Sequence, residues 1–315
     1  MTQTAYLSKT YYALALDPIH VGTGGYRLGR VELSIIREAG TDLPKVPGTS
    51  LSGVARAYLA MQTPGKYPRC AGLGQEQQDA SGMVIRQGHC ASYDCPVCVT
   101  FGFSQPDRSF AGLAHFTDLS ILFFPVATMK GPVWVTSPGQ LERTGRASTL
   151  TLAEKTALEQ HKALMPAALG PKINLGWLLL EEGGERPELG LDPSIPEEVR
   201  SRTLLISDRL FVQVVNRNLE VRTSVAIDPR TGAAEEPALF TYEAIPRAAG
   251  FCFEVICQNP SHFRINGQAP ALPDVQAVQA EVEKGFRYLS ALGIGGMNTR
   301  GMGRLKVLNL GGEQA

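Results

Sequence analysis

An α+β fold with an antiparallel sheet and large insertions is what the sequence predicts, and three observations carry it. Strand-like and helix-like segments follow one another without the regular strand–helix rhythm of a parallel sheet. A clean two-residue alternation late in the chain (Phe251, Phe253, Val255, Cys257) marks a half-buried strand. The 315 residues are 43% hydrophobic and 19% charged, ordinary for a globular protein and enough to bury a core without staples.

The elements follow in order. Residues 11–16 read as a first strand that enters the loop Asp17-Pro18-Ile19-His20-Val21-Gly22-Thr23-Gly24-Gly25, where three glycines in four positions mark a tight backbone. Residues 31–36 read as a second strand. Thr49 or Ser50 is placed to cap a helix over 51–61, with Leu51, Val54, Ala55 and Leu59 on one face. Residues 65–88 are polar and glycine-rich and read as loop, and the cysteine segment 90–98 runs into Phe101-Gly102. Residues 115–126 read as a strand pair or one bent strand. The stretch 137–190 is the least core-like, with one helix over 152–164, so 137–200 is expected to be a surface insertion. Ser194 and Glu197 have the spacing of a capping box before a short helix. Residues 210–215 and 219–227 read as strands joined at 216–218. Asp274 is placed to cap a long helix striped by Val275, Val278, Val282, Phe286 and Leu289 and ended by Gly293. Residues 301–308 read as a final strand.

Charge and hydropathy exclude several classes. Thirty basic residues balance thirty acidic ones, so a globally basic nucleic-acid coat is excluded while a local basic groove is not. Arginine outnumbers lysine by 21 to 9; arginine forks suit phosphates and stack on bases, and a GC-rich genome would give the same bias. The longest apolar stretch, 119–127, is broken by Ser120 and Pro125 and is too short for a bilayer. The start of the chain lacks the basic and apolar regions of a signal peptide, so a cytoplasmic protein with no membrane partner is expected.

The cysteines are the sharpest chemical signal. Cys90, Cys95 and Cys98 lie within nine residues, the last two as a CxxC knuckle, and nineteen residues separate Cys70 from Cys90. Zinc takes four such ligands, so a structural zinc on Cys70, Cys90, Cys95 and Cys98 is expected, with His89 as the substitute ligand. Reduced thiols without a metal are the alternative; a disulfide framework is not expected in this compartment. Cys252 and Cys257 fall in a strand pattern and read as core.

Two glycine clusters follow. The loop at 20–25 could offer successive N–H groups as an anion nest, or be a turn; it is neither a dinucleotide fingerprint nor a P-loop. The cluster at 293–304 carries five glycines and two arginines and reads either as a basic loop along a phosphodiester backbone or as a helix stop and bulged strand. Glu32 follows the first loop: a carboxylate beside a phosphate site can hold a divalent metal, and a solvated strand carboxylate is the plainer reading. His20 could orient a substrate or act as a base, or simply bond within its loop.

Together these segments resemble the RAMP superfamily of CRISPR-associated RNA-binding proteins, most of all the repeating backbone subunit of type III-B (Cmr) effector complexes. The resemblance rests on ordered landmarks: Pro18 to Gly24, Leu28 to Glu32, Ile36-Arg37-Glu38, Leu43 to Gly53 ending in Arg56, Cys98 to Gly102, Ile206-Ser207-Asp208, Val225 to Asp228, Leu239 to Pro246, and Gly293 to Gly303. Residues 137–200 match poorly.

What the resemblance implies is specific. The fold would be an RRM-like, ferredoxin-like antiparallel sheet core with large insertions, a single domain over 1–315 with a zinc-knuckle-like insertion at 65–100. Partners would be the guide (crRNA), target RNA, other type III effector subunits, and further copies of the chain stacked along the guide, in antiviral defence. A protruding hairpin, at 216–240 or within the 137–200 insertion, would kink the RNA. The carboxylate after the glycine loop would cut target RNA with Mg or Mn; it is normally aspartate and here is Glu32, one methylene longer, with His20 beside it. Gly22, Gly24, Gly25, Lys45, Ser50, Ser52, Arg56, Asn298, Thr299 and Arg300 would contact RNA. Arg222 would do so too, in place of an arginine the family carries where this chain has Ser224. Without the resemblance, the cysteines and glycine loops alone would suit a stand-alone zinc protein that processes nucleotides or nucleic acid.

Overall fold

Tyr6–Ala15, the first strand, pairs along its length with Gly250–Gln258, from Tyr6 opposite Gln258 to Leu14 opposite Gly250. The structure is a computed structural model that describes residues 4–24, 31–72, 77–78, 80–82, 84–86, 88–145 and 150–311. These two strands lie side by side in an eleven-stranded sheet. Leu305–Val307 flanks the first strand on one side; Leu119–Val126 flanks Gly250–Gln258 on the other. Val133–Thr136, Thr203–Leu205, Ala163–Met165, Leu178–Glu185 and Lys172–Leu175 extend the sheet in that order. The antiparallel expectation holds for the centre, but two pairs in the extension, Val133–Thr136 with Thr203–Leu205 and Ala163–Met165 with Leu178–Glu185, are parallel. The sheet is therefore mixed.

Alternation along the central strands sends side chains to two faces. Tyr11 stacks on Phe253, its register partner, at 5.4 Å between ring centroids, and meets Phe286 edge-on. Phe286 belongs to the helix Val275–Arg287, which packs beside the helix Gly48–Gln62 on this face. The helices approach so closely that a Cβ on Gly285 would lie 2.4 Å from the Ala55 carbonyl oxygen. Tyr12, Leu122 and Cys252 point to the other face and pack against Trp134, Leu141, Leu158, Leu164, Ile195 and Val199. Much of the segment expected to be a surface insertion thus supplies three strands and buried side chains to the sheet.

Several local readings are corrected. Residues 31–36 are not a continuous strand: Gly22 bridges Ile35, Leu33 bridges Tyr242 and Arg37 bridges Pro44, so bonding changes partner along the segment. Residues 210–215 form the helix Asp208–Arg217, with Ser207 as its cap; Leu210, Phe211, Val214 and Val215 are buried at helical spacing, and that burial overrides the strand preference of a β-branched run. No side chain caps Gly48–Gln62 from Thr49 or Ser50; the helix begins earlier, and the Gly48 N–H donates to Asp118 from a distant strand junction. The capping box forms at Thr151 and Glu154 rather than at Ser194 and Glu197, where Pro196 opens the helix. The helix expected over 152–164 stops at Glu159, and residues 163–165 become a buried strand. Of the two readings for 115–126, the strand pair is the one present, as Ala114–Phe116 and Leu119–Val126. Among the described residues no helix is long and apolar enough to cross a membrane.

Candidate nucleic-acid interface and cysteine centre

The two glycine loops, nearly the whole chain apart in sequence, are clasped together. Gly296 N–H donates to the His20 carbonyl at 2.8 Å, and Gly303 N–H to the Pro18 carbonyl at 2.9 Å. The Arg304 guanidinium binds the Asp17 carboxylate with two nitrogens, at 2.5 and 2.9 Å, and that fork holds the Asp17 carboxyl below the usual carboxylate range. Gly295 is required at the tightest point: its φ is +85°, and a Cβ there would sit 2.4 Å from the His20 carbonyl oxygen. The clasp leaves Gly22, Gly24, Asn298, Thr299 and Arg300 exposed on one rim, while Gly25 lies outside the described residues. Residues 298–300 form a single 3-10 turn.

His20 lies beneath this rim and is buried, with its Nδ1 2.6 Å from the Glu243 carbonyl. A carbonyl only accepts, so Nδ1 is the donor, and Nε2 faces the Gly22 backbone. Tyr242 meets the ring edge-on.

Glu32 is joined to the hairpin formed by Glu220–Ile227 and Ala234–Ala244. Its N–H donates to the Thr241 hydroxyl at 3.2 Å, and its carboxylate accepts the Thr241 N–H at 3.0 Å. Next to it, Glu243 accepts from the Ile35 N–H and forms an ion pair with Arg37 at 2.8 Å. The hairpin forms its own two-stranded sheet, tied at its base to Leu33, which bridges Tyr242, and it carries exposed Val225 and Ile227 away from this base. Arg222 lies on it, half-buried and bonded to Glu220.

The remaining expected contacts scatter. Ser50 and Ser52 lie half-buried in the first turns of Gly48–Gln62. Lys45 donates to Asp118 at 2.6 Å; burial pushes that carboxyl up, but Lys45 and the Gly48 N–H outweigh it and hold it below its ordinary value. Arg56 is a correction: it is buried, with Nε donating to the Cys70 carbonyl at 2.7 Å and Nη1 to the Phe101 carbonyl at 3.4 Å, so it faces the cysteines rather than solvent. Asp17, Asp118, Thr241 and Glu243 organise the site yet carry no local sequence signal, because each acts on a residue far away in the chain.

The four expected cysteines converge. The ligand atoms of Cys70, Cys90, Cys95 and Cys98 all lie within 4.8 Å of one another, and this is the metal-competent cluster among the described residues. Cys95 precedes and Cys98 lies within the short helix Pro96–Phe101, so one turn presents both. The sulfurs of Cys90 and Cys98 are 3.7 Å apart, those of Cys98 and Cys70 3.8 Å, and those of Cys95 and Cys70 4.0 Å. A tetrahedral ion held by thiolates at about 2.3 Å has sulfur–sulfur edges of about 3.8 Å, whereas a disulfide needs about 2.05 Å. The centre therefore has the dimensions of a metal site, and all six cysteines are free thiols. His89 is not a member; it is buried with neither ring nitrogen hydrogen-bonded, and burial, with Arg56 nearby, pushes it down to about 4.

The chain is similar to known proteins along nearly its whole length. The CRISPR system Cmr endoribonuclease Cmr4 of Pyrococcus furiosus is 28% identical over 320 residues, covering 96% of this chain and 95% of its own. A chain in the cryo-EM structure of the type III-B Cmr-beta complex bound to cognate target RNA superposes with a TM-score of 0.65 at 15% identity, over 97% of this chain and 98% of that one. Oligomeric Cmr4 from Pyrococcus furiosus, a crystal structure, gives a TM-score of 0.57 at 21% identity, over 96% and 100%. The RAMP superfamily model matches residues 13–306, and the chain belongs to the RAMP superfamily.

Proposed function

We propose that this chain is the guide-binding backbone subunit of a cytoplasmic type III-B CRISPR effector complex, acting in antiviral defence. The observation that carries the reading is the clasp: two glycine loops are bonded backbone to backbone, with Asn298, Thr299 and Arg300 exposed beside Gly22 and Gly24. N–H groups and an arginine on one rim suit phosphates and sugar hydroxyls and read no base sequence, as a scaffold for any guide requires. The Cmr relatives support the assignment to this type of complex.

Further features support the finer reading. Four strands lie in the order Leu119–Val126, Gly250–Gln258, Tyr6–Ala15, Leu305–Val307, with two helices on one face, and this order supports a ferredoxin-like, RRM-like core. The hairpin at 220–244 is then the element that kinks the RNA, and copies of the chain stack along the guide so that each hairpin crosses it once. Arg222, Lys45, Ser50 and Ser52 line the same reading as backbone contacts; Lys45 must exchange Asp118 for phosphate to do so. The whole chain is one RAMP domain, with 65–100 as a knuckle held by structural zinc on the four cysteines.

Glu32 would cut target RNA, with His20 as the assisting imidazole; the bonds of both to the strand Ala234–Ala244 support this reading. Among the described residues Glu32 belongs to no cluster of three or more ligating side chains, so Mg or Mn held there would take further ligands from RNA phosphates. Co-expression with the neighbouring effector genes, followed by sequencing of co-purifying RNA, tests the main proposal: short RNAs with a shared repeat-derived tag are expected, and random host RNA or none refutes it. Glu32→Ala in the assembled complex should abolish cleavage and leave guide binding intact; undiminished cutting removes Glu32 from the mechanism.

A further inference from the structure

Arg56 raises a question that the RNA reading leaves unanswered. It is only 9% exposed, and its Nη2 is buried without any hydrogen-bond partner. A buried guanidinium with an unused donor is costly unless an anion lies beside it. Its other nitrogens hold the carbonyls of Cys70 and Phe101, that is, a cysteine of the cluster and the end of the helix that carries Cys98. On the open side, Lys66 places its Nζ 3.8 Å from the Cys90 sulfur. Four thiolates around a divalent ion carry a net charge of about −2, because each cysteine ligand binds deprotonated. Cys70, Cys95 and Cys98 are all fully buried, so water cannot solvate that charge.

We propose that Arg56, assisted by Lys66, is the built-in counter-charge of the cysteine centre, positioning its ligands and raising its affinity for the ion. The proposal rests on the metal reading of the four cysteines. As it stands, Nη2 is buried without a partner; an ion held by four thiolates would set an anionic centre beside it. The pairing also explains why this arginine, in the stretch that resembles an RNA-contacting segment, faces inward: the knuckle supplies an anion of its own. Lys66, half-buried, contributes less because water shares its charge.

The test follows zinc release from the full-length zinc-loaded chain to the chromogenic chelator 4-(2-pyridylazo)resorcinol. Outer-shell partners of metal ligands typically set affinity by about 10–100-fold. Arg56→Met should release zinc at least tenfold faster, Arg56→Lys should restore part of the difference, and Lys66→Gln should show a smaller acceleration. Recovery with lysine separates charge from packing, since lysine keeps the charge without the shape. If Arg56→Met does not fold, Lys66→Gln, at a half-exposed position, decides. An unaltered chain that purifies without zinc and binds none overturns the metal reading and this proposal with it. Zinc held by the unaltered chain and released at the same rate by every variant overturns the counter-charge alone.

Discussion

Replacing Gly295 by alanine should open the clasp between the two glycine loops, whereas the same change one residue later should do almost nothing. At Gly295 the φ of +85° places the backbone in the left-handed region, which costs a residue with a Cβ about 1–2 kcal/mol. The new Cβ would also lie 2.4 Å from the His20 carbonyl oxygen, an atom fixed in the backbone. Relief requires that carbonyl to withdraw, which breaks its hydrogen bond from the Gly296 N–H, worth about 0.5–1.5 kcal/mol. The expected loss is therefore about 1.5–3.5 kcal/mol. At Gly296 a Cβ would meet the His20 ring at 3.6 Å, an ordinary contact, and φ is not left-handed. That variant should stay within about 0.5 kcal/mol of the parent. Urea denaturation of both variants, with affinity for single-stranded RNA at fixed salt, separates the cases: Gly295→Ala should lose stability and affinity, Gly296→Ala neither. Equal behaviour of the two, or a stable Gly295→Ala, would refute the reasoning that the loops are held by backbone contact.

Three further expectations follow from packing and charge. Glu283 accepts hydrogen bonds from Lys9, Tyr11, Gln279 and the Gly311 N–H; burial pushes its carboxyl up, but these donors outweigh burial and hold it below its ordinary value. Its contribution to stability should be complete above the unfolded value of about 4.3 and vanish as pH falls through the lower folded value. Glu283→Ala should cost about 1–3 kcal/mol at neutral pH, through the unsatisfied Tyr11 hydroxyl, and flatten the acid limb of stability against pH; an unchanged limb excludes the role. Gly285→Ala gains up to about 1 kcal/mol of helix propensity but drives a methyl into the Ala55 carbonyl, and overpacking of about 1–3 kcal/mol should win. A higher melting temperature would show that the two helices can part freely. Cys98→Ser should lower metal content, measured by plasma mass spectrometry, and stability together; full metal retention would remove Cys98 from the ligand set.

Much of the site was legible in residue types and spacing. The four cysteines could be grouped from the sequence because a CxxC turn presents two sulfurs locally and a metal site needs four ligands. The strand Gly250–Gln258 and the helix Val275–Arg287 with its Asp274 cap follow from periodicity and capping, which are local properties. Both glycine loops stand out in the sequence, but their clasp does not: it depends on hydrogen bonds between residues hundreds of positions apart, which no local pattern encodes. The same reason hides the partners of Glu32 and Lys45, and it turns the 210–215 run into a helix, since only the packed environment decides which periodicity a short apolar run obeys. Arg56 shows the division most plainly. Its charge is written in the sequence, but only the packed structure buries it and turns it to the carbonyls of Cys70 and Phe101, beside the cysteines.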